Sequence, residues 1–276
     1  MNTHNSFPVV AAFPLAALVA ASSLGGIVLP SSYARESASW AAQGVGQDWV
    51  NLVLVVPWLV LTGVGSGRGS RKAFLLLCGA LVYTLYSYVI YAFAVHFNAL
   101  FLVYCAVLGL SFFALVSAVA IVAREDVRSW YQPDAPVRLA AGLQIGIAVI
   151  FAALWLADVI PALVSRTLPA GLAELGLLTN PVHVLDLSVL LPALAVGGVS
   201  LLRRRSLGYF LGPVMLTFAV LMAIAIAGMI LMMSARGIPA DLTVAGVLGG
   251  LSGASALVLV SLLRRVRPAR AAGSDR

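Results

Sequence analysis

The chain has 276 residues, 62% of them hydrophobic and only 10% charged, with a mean hydropathy of +1.03. A water-soluble globule of that composition would expose apolar patches far larger than soluble proteins tolerate, so a bilayer is its solvent. The net charge of +7 forms no continuous basic stripe and has no aromatic interleaving, which excludes a nucleic-acid-binding module.

A span needs roughly 20 apolar residues to cross about 30 Å of hydrocarbon. Eight stretches reach that length: 8–29, 49–64, 73–95, 100–122, 139–160, 182–202, 213–233 and 244–263. The expected fold is therefore all-α, one polytopic transmembrane domain over 1–263 followed by a basic tail, 264–276. The first stretch ends near Ser32-Tyr33-Ala34, a tolerable signal-peptidase site. No Lys or Arg precedes it and the apolar run is long for a signal sequence, so it is read as a retained helix.

The gaps alternate in charge. Arg68, Arg71 and Lys72 follow span two; Arg124, Arg128 and Arg138 follow span four; Arg203, Arg204 and Arg205 follow span six. Span eight precedes Arg264, Arg265, Arg267, Arg270 and Arg276, while each remaining gap holds one Arg (Arg35, Arg166, Arg236). The positive-inside rule then places both termini in the cytoplasm, and seven or nine spans would put some clusters on the wrong side. The tail reads as a stop-transfer flank that can touch anionic lipid head groups. One Lys against 16 Arg points to a GC-rich bacterial genome, hence a bacterial plasma membrane. Cys78 and Cys105 fall at different depths, too far apart for a disulfide, and are read as small buried residues.

Aligning spans two and six on their prolines sets Leu52–Pro57 on Leu187–Pro192 and Gly63 on Gly198. Spans four and eight align Gly109-Leu110-Ser111 with Gly250-Leu251-Ser252, and Arg124 with Arg265; Gly79 matches Gly212 near the inner ends of spans three and seven. The nearly constant offset predicts a four-plus-four parallel repeat, with halves 1–130 and 131–263, related by an axis along the membrane normal.

Charged side chains cost on the order of 3 kcal/mol at the centre of a span, so each one there needs a partner, water or a function. Asp48 and Asn51 are expected to open span two at the outer face, Asp158 to end span five there, and Asn180, His183 and Asp186 to open span six. His96 and Asn98 fall in the tight outer turn. His183 and Asp186 share a helical face, as do Asp48 and Asn51, and the proline alignment sets one pair on the other. Asn180 before Pro181 reads as an N-cap, and Asp48 has the alternative of favouring a helix N-terminus through the dipole. Asp186 lies too deep for that role; it reads either as a cavity residue or as an interhelical hydrogen-bond acceptor.

Tyr83, Tyr86, Tyr88 and Tyr91 cover about half of span three, so several phenols must find partners inside the bundle. Tyr88 and Tyr91 are placed to reach the acidic pairs, with Tyr83 and Tyr86 in a deeper layer. Gln144, Trp155 and Trp58 are assigned to packing. Gly246, Gly249, Gly250 and Gly253 predict close helix contact within the fold.

No Walker A loop and no HExxH are present, which excludes an ATPase in this chain and argues against a metal enzyme; no cofactor is expected. A haem held by His96 and His183 fits badly with a short turn, and Ser188 lies on the wrong face to serve His183 as a nucleophile. The expected site is a polar cavity open to the outer side, built from His183, Asp186, Asp48, Asn51, Asp158, Tyr88 and Tyr91. Its leading reading is a small-solute or proton-linked transporter whose partners are the bilayer and a small-molecule substrate. The alternatives are a membrane-embedded enzyme acting on a lipid or quinone, with His183 and Asp186 as acid and base, and a non-catalytic accessory protein. The runs Tyr83–Tyr91, Asn98–Tyr104 and Val184–Pro192 resemble segments of an uncharacterised family of bacterial multi-pass membrane proteins. That resemblance covers spans two to four and six and implies no activity.

Overall fold

The computed structural model describes residues 6–169 and 171–268. Eight helices in it are long and apolar enough to cross a membrane: α1 (Phe7–Val28), α2 (Ala38–Gly67), α3 (Arg71–Ala94), α4 (Phe101–Val122), α5 (Val137–Ser165), α6 (Pro181–Leu202), α7 (Ser206–Ala235) and α8 (Leu242–Arg264). The protein is a helical multi-pass membrane protein. Even the shortest of these has 22 residues, about 33 Å at 1.5 Å per residue, which matches the hydrocarbon thickness.

The first correction concerns α2. Instead of starting at 49, it begins at Ala38, where the Ser37 side chain accepts from the Trp40 N–H as N-cap. Asp48 therefore sits ten residues inside the helix and cannot act on its N-terminus. The sequence 38–50 misleads because Gln43, Gln47 and Asp48 lower its hydropathy, although Gln47 and Asp48 are buried against protein.

Both α2 and α6 contain a single π-helical turn, Asn51–Val55 and Asp186–Leu190. The Val56 N–H bonds the Asn51 carbonyl and the Leu191 N–H bonds the Asp186 carbonyl, five residues back in each case. Pro57 and Pro192 follow immediately. Proline has no N–H to offer the helix ladder, and a widened turn beside it takes up the mismatch. The two π turns stand 135 positions apart, the offset of the two prolines.

The two sets of four helices also pack alike. In the first, α1 lies against α2 and α4, and α3 against α2 and α4. In the second, α5 lies against α6 and α8, and α7 against α6 and α8. Between the sets, α7 packs along both α3 and the N-terminal half of α2, whereas α3 meets α6 sparsely, near Pro181–Leu185. The seam is thus closed on one side and open on the other.

Glycine explains the closed side. A Cβ on Gly46 would stand 2.7 Å from the Gly228 carbonyl oxygen, and one on Gly228 would stand 2.7 Å from a Val50 methyl. Only bare backbone allows α2 and α7 to approach this closely. The corresponding residues on the open side, by the offsets of the aligned helices, are Pro181 and Val95, neither of them glycine.

At one end of the bundle the arginine-rich connections fold together. The α4–α5 connection carries a short 3-10 turn, Val127–Trp130, whose Trp130 is buried beneath the Arg71 guanidinium, 5.2 Å from the ring centroid. It is pinned by Ser206 Oγ accepting from the Val127 N–H, by Tyr131 Oη donating to the Tyr209 carbonyl, and by an Arg265–Asp134 ion pair of 2.7 Å. Arg270 and Arg276 of the tail lie outside the described residues.

Two packing expectations need correction. Gly246, Gly249, Gly250 and Gly253 have open space where a Cβ would stand, so that stripe of α8 faces outward. Cys78 is buried but Cys105 is exposed on the outer surface of α4.

Candidate functional site

The polar residues of the first half form a sealed chamber. Asp48 is fully buried, and its two oxygens accept from different phenols: Tyr33 Oη at 2.6 Å and Tyr91 Oη at 2.9 Å. Tyr33 belongs to the α1–α2 connection; burial and the nearby Asp48 push its phenol well above the ordinary tyrosine range, so it keeps its proton and donates. Tyr91 also packs in a cluster of three rings, with Tyr88, Tyr91 and Tyr104 mutually 5.1–6.2 Å apart. One turn below Asp48, Asn51 accepts from Tyr83 Oη at 2.9 Å and is likewise fully buried. Tyr88 is buried among these rings, with its hydroxyl unpaired among the described residues.

The second half places its carboxylate differently. Asp186 starts the π turn of α6, accepts from Tyr86 Oη at 2.9 Å and from Trp155 Nε1 at 2.8 Å. Trp155 comes from α5 of the same half, but Tyr86 comes from α3 across the open side of the seam. The Asp186 N–H still bonds the Val182 carbonyl in the regular α pattern, and the π turn shifts the helix only beyond it.

His183 and Asp186 share a helical face and both meet Trp155, with no hydrogen bond between them. The His183 ring lies against Trp155, with centroids 4.6 Å apart, and its Nδ1 is 4.0 Å from Asp158 Oδ2. Asp158 itself is part-exposed at the end of α5 opposite the arginine clusters. Asn180 accepts from the Val182 and His183 N–H groups, the N-cap its sequence position suggests. In the turn between α3 and α4, His96 instead meets Glu36, through its backbone N–H at 2.7 Å and Nδ1 at 3.1 Å.

Asp186 borders a cavity of about 470 Å³ between the two sets of helices, on the open side of the seam. Its wall is mostly apolar and aromatic, with Phe151, Trp155, Phe218, Met222, Tyr86 and Trp40 prominent. Gln43, Gln47 and Asn180 bring the remaining polarity, and Tyr91 borders it from α3. Among the described residues lining this cavity, Asp186 is the one able to carry charge at neutral pH. The connection between α5 and α6 lies over the rim, where its single turn Leu172–Leu175 approaches α2.

The expected polar cavity thus separates into two environments. Asp186 and Tyr91 line the cavity, while Asp48 reaches toward it only through Tyr33 and Tyr91, which stand between. Asn51, Tyr88, His183 and Asp158 lie outside its lining. Trp155, read from sequence as packing, and Tyr86 are the two donors that hold the Asp186 carboxylate. No pattern in the chain joins Trp155 to a residue 31 positions later. Among the described residues no group of His, Cys, Asp and Glu is arranged to hold a metal.

Comparison with family models, curated proteins and solved structures yields no match.

Proposed function

We propose that the protein is a proton-linked carrier of small amphipathic cations, with the solute held in the cavity between the halves and its charge on Asp186. One observation carries this reading: in an apolar, aromatic cavity, the one described lining group able to carry charge at neutral pH is a carboxylate held by the neutral donors Tyr86 and Trp155. An isolated carboxylate away from water is costly, and either a proton or a bound cation removes that cost. The two therefore compete for one site, which is the thermodynamic basis of exchange. Aromatic rings add cation–π attraction, and the apolar wall takes up the solute's hydrocarbon part.

Movement would use the asymmetry of the seam. The Tyr86–Asp186 bond crosses the side where α3 and α6 barely touch, so a solute that takes over the carboxylate weakens one of the few links closing that side. The paired π turns beside Pro57 and Pro192 are places where α2 and α6 can bend. The matching turns and matching packing support descent of the halves from a duplicated four-helix unit, and the arginine clusters support cytoplasmic termini in a bacterial plasma membrane.

The test is uptake into proteoliposomes. With an imposed pH gradient, a lipophilic cation such as tetraphenylphosphonium should be transported, and Asp186→Asn should abolish uptake while leaving the unfolding midpoint within a few degrees of wild type. A neutral analogue of equal size bound as tightly as the cation, or full transport by the Asn variant, would overturn the proposal.

A further inference from the structure

At the arginine-rich end a second cavity, about 330 Å³, lies between the α4–α5 connection, the α6–α7 turn and the segment after α8. Arg128, Arg204 and Arg267 reach it from these three places, and Asp126 is the acid in its lining. Three guanidinium groups against one carboxylate leave a concavity with excess positive charge, which repels itself unless an anion enters.

The α6–α7 turn adds an independent observation. The α2–α3 turn ends its helix with Gly69 at φ +81, closed by Gly69 N–H to Ser66 O and Ser70 N–H to Gly65 O. The α6–α7 turn has the same bonds 135 positions later, Arg204 N–H to Leu201 O and Arg205 N–H to Ser200 O. Here the left-handed residue is Arg204, at φ +50. Glycine adopts that conformation without strain and an L side chain does not. Where the sister turn has glycine this turn carries an arginine against the backbone's preference, and that arginine lines the cavity.

From these two observations we infer that this cavity binds a phosphate group, presented either by the head group of an anionic phospholipid or by free inorganic phosphate. Planar guanidinium forks match phosphate oxygens two at a time, and the arginine clusters mark the level at which lipid phosphates lie. A ligand here would tie the α4–α5 connection to the α6–α7 turn and to the chain after α8.

The experiment uses the delipidated full-length protein in neutral detergent and follows its unfolding midpoint. Dioleoylphosphatidylglycerol should raise the midpoint saturably and dioleoylphosphatidylcholine should not. An equal rise with inorganic phosphate assigns the free anion, and a rise with the lipid alone assigns the head group. Arg204→Gly should raise the midpoint of the ligand-free protein, because it relieves the strained turn, and weaken the ligand's effect at least tenfold. Arg128→Gln should weaken that effect without the rise. Absence of a shift with either phosphate source, or an undiminished shift in both variants, overturns the inference.

Discussion

Asp48 and Asp186 are buried carboxylates set on corresponding helices, within one turn of each other in the aligned halves, yet their surroundings differ in kind. Asp48 sits in a chamber closed by Tyr33 and Tyr91, with no exposure to solvent or cavity. Asp186 has two donors as well, but one of them reaches across an open seam and its remaining face borders a cavity. The same π-turn helix thus carries a sealed carboxylate in one half and a cavity-lining one in the other. On one side of the seam Gly46 and Gly228 let α2 and α7 approach closely; on the other, α3 and α6 meet only near Pro181–Leu185.

If the carboxylates have those separate roles, exchanging each for an apolar residue separates stability from ligand binding. Asp186→Leu should abolish binding of a lipophilic cation, read as loss of the Trp155 fluorescence response. Its cost to stability should be the smaller one, because the Tyr86 hydroxyl and Trp155 N–H it strands border a cavity that water can enter. Asp48→Leu strands two phenols in a sealed space, at roughly 1–3 kcal/mol per buried unsatisfied group, so about 2–6 kcal/mol of stability should be lost. Unfolding in urea or by heat in detergent measures this. Equal destabilisation by both substitutions would erase the distinction.

The seam itself can be tested next. Gly46→Val drives a branched side chain into the Gly228 backbone, and overpacking of that kind costs about 1–3 kcal/mol. The expected result is a lowered unfolding midpoint and a crosslinking distance between α2 and α7 that lengthens. Val95→Gly on the opposite side removes a side chain that lines the cavity and should enlarge it, read as tighter relative binding of the larger cations.

A finer change concerns how Asp186 is held. Trp155→Phe keeps an aromatic ring beside His183 and removes the indole N–H. A hydrogen bond to a charged group contributes about 1.5–3 kcal/mol, so cation affinity should change by about tenfold or more, while Phe151→Leu, which touches no carboxylate, should change it far less.

These contrasts follow physical lines that a single sequence exposes unevenly. The eight spans and the arginine alternation are legible because a bilayer imposes length and charge on every helix separately. The paired prolines are legible for the same reason: each acts on its own helix. The start of α2 is not legible, because Gln47 and Asp48 look like surface residues until neighbouring helices bury them. Nor is the ligation of Asp186, whose donors Tyr86 and Trp155 lie 100 and 31 positions away and are brought close by packing alone. Shared helical phase does bring His183 and Asp186 to the same Trp155, but a single sequence does not show that Tyr86 and Trp155 take the Asp186 carboxylate while the His183 ring lies against Trp155 and near Asp158.

The smallest expected effect compares the starts of α4 and α8. In the alignment that sets Gly109 on Gly250, Leu100 corresponds to Asp241. Leu100 offers no side-chain cap and is buried against α1, whereas Asp241 is exposed and accepts from the Thr243 N–H at 2.8 Å. The Thr243 side chain and backbone hold the Asp241 carboxyl below the usual carboxylate range. A carboxyl depressed on folding contributes stability above its unfolded value, near pH 4, and loses it as the pH falls through the lower folded value. Asp241→Asn preserves the cap's acceptor and removes the charge. Wild type and variant should therefore differ slightly in unfolding midpoint at pH 6 and converge as the pH falls below about 4. A difference that persists at pH 3 would mean that the charge is not what holds the start of α8.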